Sequence, residues 1–304
     1  MLQVCVLAGG NSDEREVSLR SGAAVAEALK TLDYNVTTLD SADGLGSLQV
    51  AHKTIGFDVV FLALHGIGGE DGKIQKMLCD IGLCYTGSGP DASALCFDKW
   101  VYKQFLSSRG YPVTQGEFVN AKDFAASSLS KIPFVLKPHN GGSSIDTFIV
   151  RDPLTMPKQL IETAFIHHNR LLIESLVEGV EITVGVLLDK ALTVIEIIPP
   201  ADEEFDYANK YNGKTAELCP PQHVSTAVQK QAQELAAQLH VVLGCDGFSR
   251  TDMIVTASNE LVILETNTIP GLTRQSLFPK AAAASGISMP SLVDALVKAA
   301  LKKN

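Results

Sequence analysis

An α/β fold that opens on a parallel sheet is predicted by three observations. Short apolar runs at residues 2–8 and 58–66 flank an Ala-rich helical segment from Val17 to Lys30. That strand–helix–strand order sets the strands parallel, with helices covering the sheet. The chain has 304 residues, of which 46% are hydrophobic, enough for a large core divided over two or three domains.

Each element has its own signal. The first strand runs into Gly9-Gly10, and a polar loop leads to the Val17–Lys30 helix. VTTLD and DVVFLALHG read as strands, followed by a helix near Lys73–Cys79 that Gly82 closes. Ligands of such sheets bind beyond the carboxyl ends of the strands. Gly9-Gly10 with Glu14, and His65-Gly66 with Gly68-Gly69, stand at those ends.

The pattern changes near Pro90, where one helix is expected over 92–108. FVLKP, TFIV and LLIES then read as strands, with a helix over 156–167. ITVGVLL and LTVIEII form a hairpin through Asp189-Lys190. The next clear helix has Ser225 as N-cap, apolar Val228, Ala232, Leu235, Leu239 and Val242, and Gly244 at its end. Pro290–Lys303 reads as a surface helix. The expected domains are 1–90, 91–178 and 179–304. The last contains the polar stretch 201–222, whose length suggests a lid. Its Lys210-Tyr211, with Phe205 and Tyr207, gives a loop aromatic groups that need a surface to pack on.

A formal net charge of −9 argues against nucleic acid as a bulk partner, while locally focused basic residues still permit an anionic nucleotide. No basic leader and no apolar run of the ~20 residues that span a bilayer is visible, so neither secretion nor a membrane partner is expected. The six cysteines are scattered without a CxxC pair, which disfavours disulfides and zinc and suggests a reduced, cytoplasmic protein.

The most informative block is Gly247–Thr273, two strands joined by a turn at Thr256–Asn259. Alternation puts Arg250 and Asp252 on one face, and Glu265 and Asn267 on one face of the return strand. Asp, Glu and Asn are hard oxygen ligands suited to Mg²⁺, and no His or Cys favours zinc. A divalent cation beside an arginine is equipment for phosphoryl transfer. Charged strand faces are also ordinary on solvent-facing hairpins, but VILET is strongly apolar around Glu265, and a carboxylate there requires a partner.

Phe134–Ser144 runs a strand ending in Lys137 into Gly141, Gly142, Ser143 and Ser144. It reads either as a phosphate cradle or as an ordinary Gly-Ser turn, and it lacks the GK[ST] of a Walker loop. Glu174 and Glu181 stand at strand ends, where a carboxylate either meets ribose hydroxyls or simply meets solvent. Lys99 follows Asp98 early in a helix, where a surface lysine is the default.

LAGGNSDEREVSLRSG, LALHGIGGEDGKIQ, YTGSGPDASALCFDK, VLKPHNGGSS, FDYANKY, GFSRTDM and LETNTIPGLTRQSL resemble the D-alanine–D-alanine ligase family, in order and spacing, from Met1 to the last helix. The resemblance implies an ATP-grasp fold behind an N-terminal Rossmann-like domain, in a cytoplasmic homodimer. It also implies ligation of two D-alanines for peptidoglycan, with ATP as co-substrate and Mg²⁺ (or Mn²⁺) as two ions. By resemblance, Lys99 and Lys137 hold ATP phosphates, with Ser144 and Lys210 on the ATP side, and Glu174, Val177 and Glu181 surround adenine and ribose. Asp252, Glu265 and Asn267 match metal ligands, and Arg250 with the Gly271 N–H matches the oxyanion site. Glu14 faces the first ammonium, His65 lies near the first substrate, and Ser276 and Leu277 meet the second carboxylate. Glu14, Ser143 and Tyr211 correspond to a hydrogen-bonded triad.

Three places depart from the family pattern. Gly141 stands where an acidic residue is expected, Ile145-Asp146 replaces a small Val-Gly pair, and Arg274-Gln275 replaces a small residue and His. The first two bear on loop flexibility and the last on the second-substrate pocket. The rival readings are a D-Ala-D-lactate or D-Ala-D-Ser ligase, a silent nucleotide-binding regulator, and a dinucleotide oxidoreductase. Tyr211 disfavours the lactate ligase, the full set of ligands disfavours the regulator, and the lack of GxGxxG after the first strand disfavours the oxidoreductase.

Overall fold

The computed structural model describes residues 1–142, 146–199 and 215–303. Strands β1 (Gln3–Ala8), β2 (Asn35–Asp40) and β3 (Val59–Leu62) form a parallel sheet in the order β2-β1-β3. β1 is buried from Val4 to Ala8 without alternation, as a parallel strand covered on both faces must be. Helices α1 (Arg15–Lys30), α2 (Leu45–Ile55) and α3 (Lys73–Asp80) accompany it. β3 is shorter than its apolar run, so His65 and Gly66 fall beyond its carboxyl end.

The single helix expected over 92–108 is two, α4 (Pro90–Phe97) and α5 (Lys99–Ser107). Asp98 breaks the run with an extended backbone (φ −86, ψ 98). Its carboxylate accepts from the Trp100 and Val101 N–H groups at 3.0 Å each. An N-cap of this kind starts a new helix at Lys99, so the cap fixes where that lysine emerges.

A second sheet is antiparallel. It contains β4 (Gly116–Val119), β5 (Phe134–Lys137), β6 (Phe148–Val150) and β7 (Leu171–Ser175), in the order β4-β7-β5-β6. Helices α6 (Ala121–Ala126) and α7 (Lys158–His168) belong to this part of the chain. β4 and α6 carry no strong periodic signal in the sequence and add to the elements expected there. Phe134, Leu136 and Ile173 are buried with Phe124 and Phe165 in a core of their own.

The third sheet holds β8 (Val180–Leu187), β9 (Lys190–Ala191), β10 (Ile195–Ile198), β11 (Ala216–Leu218), β12 (Phe248–Val255) and β13 (Leu261–Asn267). Its order is β11-β10-β8-β12-β13, with β9 on β8, and every pair is antiparallel. The β8–β10 hairpin matches the sequence reading. β11 lies inside the stretch 201–222 expected as a lid, so residues 216–218 belong to the sheet. Residues 201–214 of that stretch lie outside the described residues. Helix α8 (Thr226–Val242) begins where Ser225 accepts from the Val228 N–H, as the capping reading required.

Helices α9 (Leu277–Ala284) and α10 (Met289–Ala300) complete the fold. α10 is no mere surface helix. Leu292, Val293, Leu296 and Val297 are fully buried in the same core as β1, and the helix packs on α1. Each such side chain contributes ~1.5–3 kcal/mol by leaving water. Tyr34 donates to Asp294 at 2.6 Å across the same seam. The last segment of the chain thereby ties the third sheet's region to the first. No helix among the described residues is long and apolar enough to cross a membrane.

Candidate active site

β12 and β13 pair with Arg250 opposite Asn267 and Asp252 opposite Glu265. The register shifts just after Asp252, so Met253 pairs with Ile263 and Leu264 is left over. A bulge of this kind bends a strand and re-aims its side chains. Arg250 donates from Nε to Asp252 Oδ1 at 2.9 Å and from a terminal nitrogen to Oδ2 at 2.8 Å. Thr183 Oγ1 donates to the same Oδ1 at 2.5 Å. Burial opposes the Arg250 charge, and the Asp252 carboxylate more than offsets it, so the guanidinium pKa is raised. Two forked bonds and a partly buried position hold this arginine in one orientation.

Lys99 reaches the same site from α5. Its Nζ lies 3.2 Å from Glu265 Oε2 and donates to the Gly141 carbonyl at 2.8 Å. Behind it is a buried cluster. Glu174 accepts from Lys103 at 2.5 Å, from Lys137 at 2.7 Å and from Thr114 at 2.7 Å. Burial pushes the Glu174 carboxyl up, and the two ammonium groups more than offset it, holding it at about 2. Both carboxylate oxygens are thus engaged by lysines. Glu174 thus anchors Lys137, and both line the larger cavity.

Two cavities meet here among the described residues, one of about 150 Å³ and one of about 970 Å³. Glu14, Lys99, Gly141, Gly142 and Glu265 line both. His65, Glu70, Arg250, Asn267, Gly271, Ser276 and Leu277 line the smaller one. Lys137, Glu174, Val177, Glu181 and Asp252 line the larger one.

The smaller cavity is electrostatically unusual. Glu70 is buried, and its Oε2 accepts from the Gly66 N–H at 2.7 Å. Burial, with the nearby Glu14 charge second, pushes its carboxyl up to about 8. His65 lies 3.1 Å from the Ser21 hydroxyl. Burial, reinforced by Arg250 and opposed by a backbone hydrogen bond at Ile269, lowers the imidazole to about 4, so it is neutral at physiological pH. Ser21 in turn accepts from the Leu272 N–H at 3.2 Å, next to Gly271. A Cβ on Gly271 would meet the Ser276 hydroxyl at 2.8 Å, so a glycine keeps that turn close to Ser276.

A profile described as the D-ala D-ala ligase C-terminus matches residues 108–298. A D-alanine–D-alanine ligase of Syntrophobacter fumaroxidans is 44% identical, over 99% of this chain and 98% of its own length. The chain belongs to the D-alanine–D-alanine ligase family. Its fold is accordingly the ATP-grasp fold. A solved D-alanine–D-alanine ligase from Bacillus anthracis superposes with a TM-score of 0.85 at 30% identity, over 100% of this chain and 98% of that one. A structure of the same kind, complexed with ATP, gives 0.82 at 28% identity, over 100% and 98%.

The two cavities share one wall, formed by Glu14, Lys99, Gly141, Gly142 and Glu265. Among the described residues, Lys137, Glu174, Val177 and Glu181 line only the larger cavity, His65, Ser276 and Leu277 only the smaller one, and Glu14 and Lys99 line both. Ser143, Ser144, Ile145, Lys210 and Tyr211 lie outside the described residues. Sequence reasoning did not single out Glu70 or Lys103. Lys103 stands four residues after Lys99, one helical turn along α5, and that spacing is the signal that would have found it. The departure at Asp146 has a local explanation. It adopts φ 52 and its carboxylate lies 2.7 Å from His168 Nε2, an anchor that a glycine cannot make.

For a metal, Asp252 and Glu265 supply carboxylates and Asn267 a carboxamide, an all-oxygen set that fits Mg²⁺. Among the described residues no group of three or more His, Cys, Asp or Glu side chains is arranged to hold a metal ion. The Asn267 carboxamide oxygen accepts from the Ile269 N–H at 2.8 Å.

Proposed function

We propose that this protein uses ATP to join two D-alanines into D-alanyl-D-alanine for peptidoglycan precursors, through an acyl phosphate. The observation that carries the reading is the wall that both cavities share. Lys99 and Glu265 line both cavities, which supports a reading in which a γ-phosphate in the larger one meets a carboxylate in the smaller one.

In this reading Glu14 receives the first D-alanine's ammonium, and His65 packs near that substrate as a neutral imidazole. Lys99 and Lys137 balance phosphate charge, and Glu174 holds Lys137 in place. Asp252, Glu265 and Asn267 would hold Mg²⁺, which supplies charge neutralisation on the transferring phosphoryl group. Arg250 and the Gly271 N–H stabilise the tetrahedral oxyanion. Ser276 and Leu277 receive the acceptor's carboxylate. Tyr211, directly or through Ser143, or a phosphate oxygen takes the proton from the acceptor amine. Adenine and ribose lie near Val177 and Glu181. The working protein is a cytoplasmic homodimer with neither nucleic acid nor membrane as partner.

Incubation with ATP, Mg²⁺ and D-alanine, with or without D-lactate or D-serine, tests the reading. Phosphate release coupled to D-alanyl-D-alanine is expected. A predominant ester or D-Ala-D-Ser product would transfer the protein to the neighbouring specificity, and no turnover with retained ATP binding would make it a regulator.

A further inference from the structure

We infer that Lys103 is the counter-ion of Glu174 and thereby lets the Lys137 charge act on the phosphates of the nucleotide, an inference that rests on the ATP site of the reading above. Lys103 is 2% exposed and lines neither of the two cavities. Lys137, Glu174 and Thr114 all line the larger one. Lys103 therefore stands one layer behind the cavity wall and acts through its neighbours as a positioning residue.

The contacts divide one carboxylate between two lysines. Lys103 Nζ lies 2.5 Å from Glu174 Oε1 and donates to the Thr114 hydroxyl at 2.7 Å. That hydroxyl donates in turn to the same Oε1 at 2.7 Å. Oε2 is left to Lys137, at 2.7 Å. A threonine hydroxyl has one proton, so its bond to Glu174 makes Lys103 the donor in the other. Burial lowers the Lys103 pKa, and contact with the Glu174 carboxylate opposes that fall and favours the ammonium form.

Charge decides what this arrangement does. A structural ion pair is complete with one lysine and one carboxylate. Here two ammonium groups face one carboxylate, which leaves one positive charge over. Lys137 is the lysine that lines the cavity, so the excess is presented there. Burial opposes the Lys137 charge, and Glu174 first, then Glu265 and Glu181, favour it. Of these, Glu265 is itself paired with Lys99 at 3.2 Å. With Lys103 removed, Lys137 and Glu174 would form a neutral pair and attract an anion far less. With Glu174 neutralised as well, Lys137 would regain its net charge.

The test measures the Kd of ATP with Mg²⁺ and, by competition, that of adenosine, which has the base and ribose without the phosphates. The proteins are wild type, Lys103→Met, Glu174→Gln and the double variant. The ratio of the adenosine Kd to the ATP Kd isolates what the phosphates contribute. Lys103→Met should lower that ratio about tenfold, by weakening ATP while adenosine stays within about twofold. The double variant should return the ratio to within about threefold of wild type, because Lys137 again acts as a net cation. Equal weakening of ATP and adenosine in Lys103→Met, or a double variant with no higher ratio, overturns the inference and leaves Lys103 as a structural ion-pair partner. Where Lys103→Met does not fold, the other two variants decide. Glu174→Gln keeps both ammonium groups and should show a higher ratio than the double variant, and equal ratios overturn the inference. A folded wild type that binds no ATP overturns the ligase reading, and the inference with it.

Discussion

A Cβ placed on Gly142 would meet Glu14 Oε2 at 2.4 Å. The carboxylate from the loop after β1 is therefore seated against the backbone of the turn after β5. A Cβ on Gly66 would meet the same oxygen at 2.9 Å. Glu14 thus sits in a slot between two glycines from different parts of the fold, on the wall common to both cavities.

Gly142→Ala is expected to displace Glu14 or the turn. The methyl cannot fit at 2.4 Å, so kcat/KM for the first D-alanine should fall about a hundredfold, in line with the cost of small misplacements at a reacting centre. Thermal stability should change little. Steady-state kinetics with the donor varied decide it, and a variant with native kcat/KM would mean that the slot is not used.

Glu265→Gln is expected to depress turnover far more than ATP affinity. The side chain bridges Lys99 and the proposed metal position, and charge there counts most as the phosphoryl group moves. Comparing kcat with the Kd of a non-hydrolysable ATP analogue checks this. Near-native turnover would remove Glu265 from the metal site.

Glu174→Gln is expected to cost about 3–5 kcal/mol of stability, because the buried Lys103 and the partly buried Lys137 lose their counter-charge. In the wild type the two lysines hold the carboxyl at about 2, well below its ordinary 4.5. A depressed carboxyl contributes stability that is complete above about pH 4.5 and is lost as pH falls through about 2. Urea unfolding at neutral pH measures the first effect. A loss below about 1 kcal/mol would contradict the buried triad.

Glu70→Gln should show the opposite pH sign. A carboxyl raised from 4.5 to about 8 carries stability that is fully present below 4.5 and is lost as pH rises through about 8. The Gln variant cannot ionise, so its stability relative to wild type should improve as pH rises from about 5 to about 8. The gain should approach roughly 1.4 kcal/mol for each step of one in pH within that window. Melting curves across the window are the measurement. A flat difference would mean that Glu70 titrates as an ordinary carboxyl.

Much of the site is legible in the sequence. Strand alternation alone puts Arg250 with Asp252, and Glu265 with Asn267, and the observed register joins the two pairs directly. The Ser225 cap and the apolar spacing of α8 are equally local, because hydrogen bonds within a few residues determine them. The break at Asp98 is local too, yet the apolar periodicity on either side of it conceals it. An aspartate one residue before Lys99 competes for the following N–H groups and divides one apolar run into two helices.

Residue types and their order settle which chemistry is available: hard oxygen ligands, an arginine, lysines, and glycines where backbone must approach. Which of these meet depends on the folded chain. Glu174 reads as a strand-end carboxylate and is instead the buried partner of Lys103 and Lys137. Glu70 carries no signal in the sequence, since its raised carboxyl comes from burial beside Glu14. Helix α10, with the pattern of a surface element, is buried against α1 and the first sheet. Such outcomes depend on groups far apart in the chain being desolvated together. Local propensity reports only on neighbours in sequence, whereas burial and charge coupling depend on distance in space.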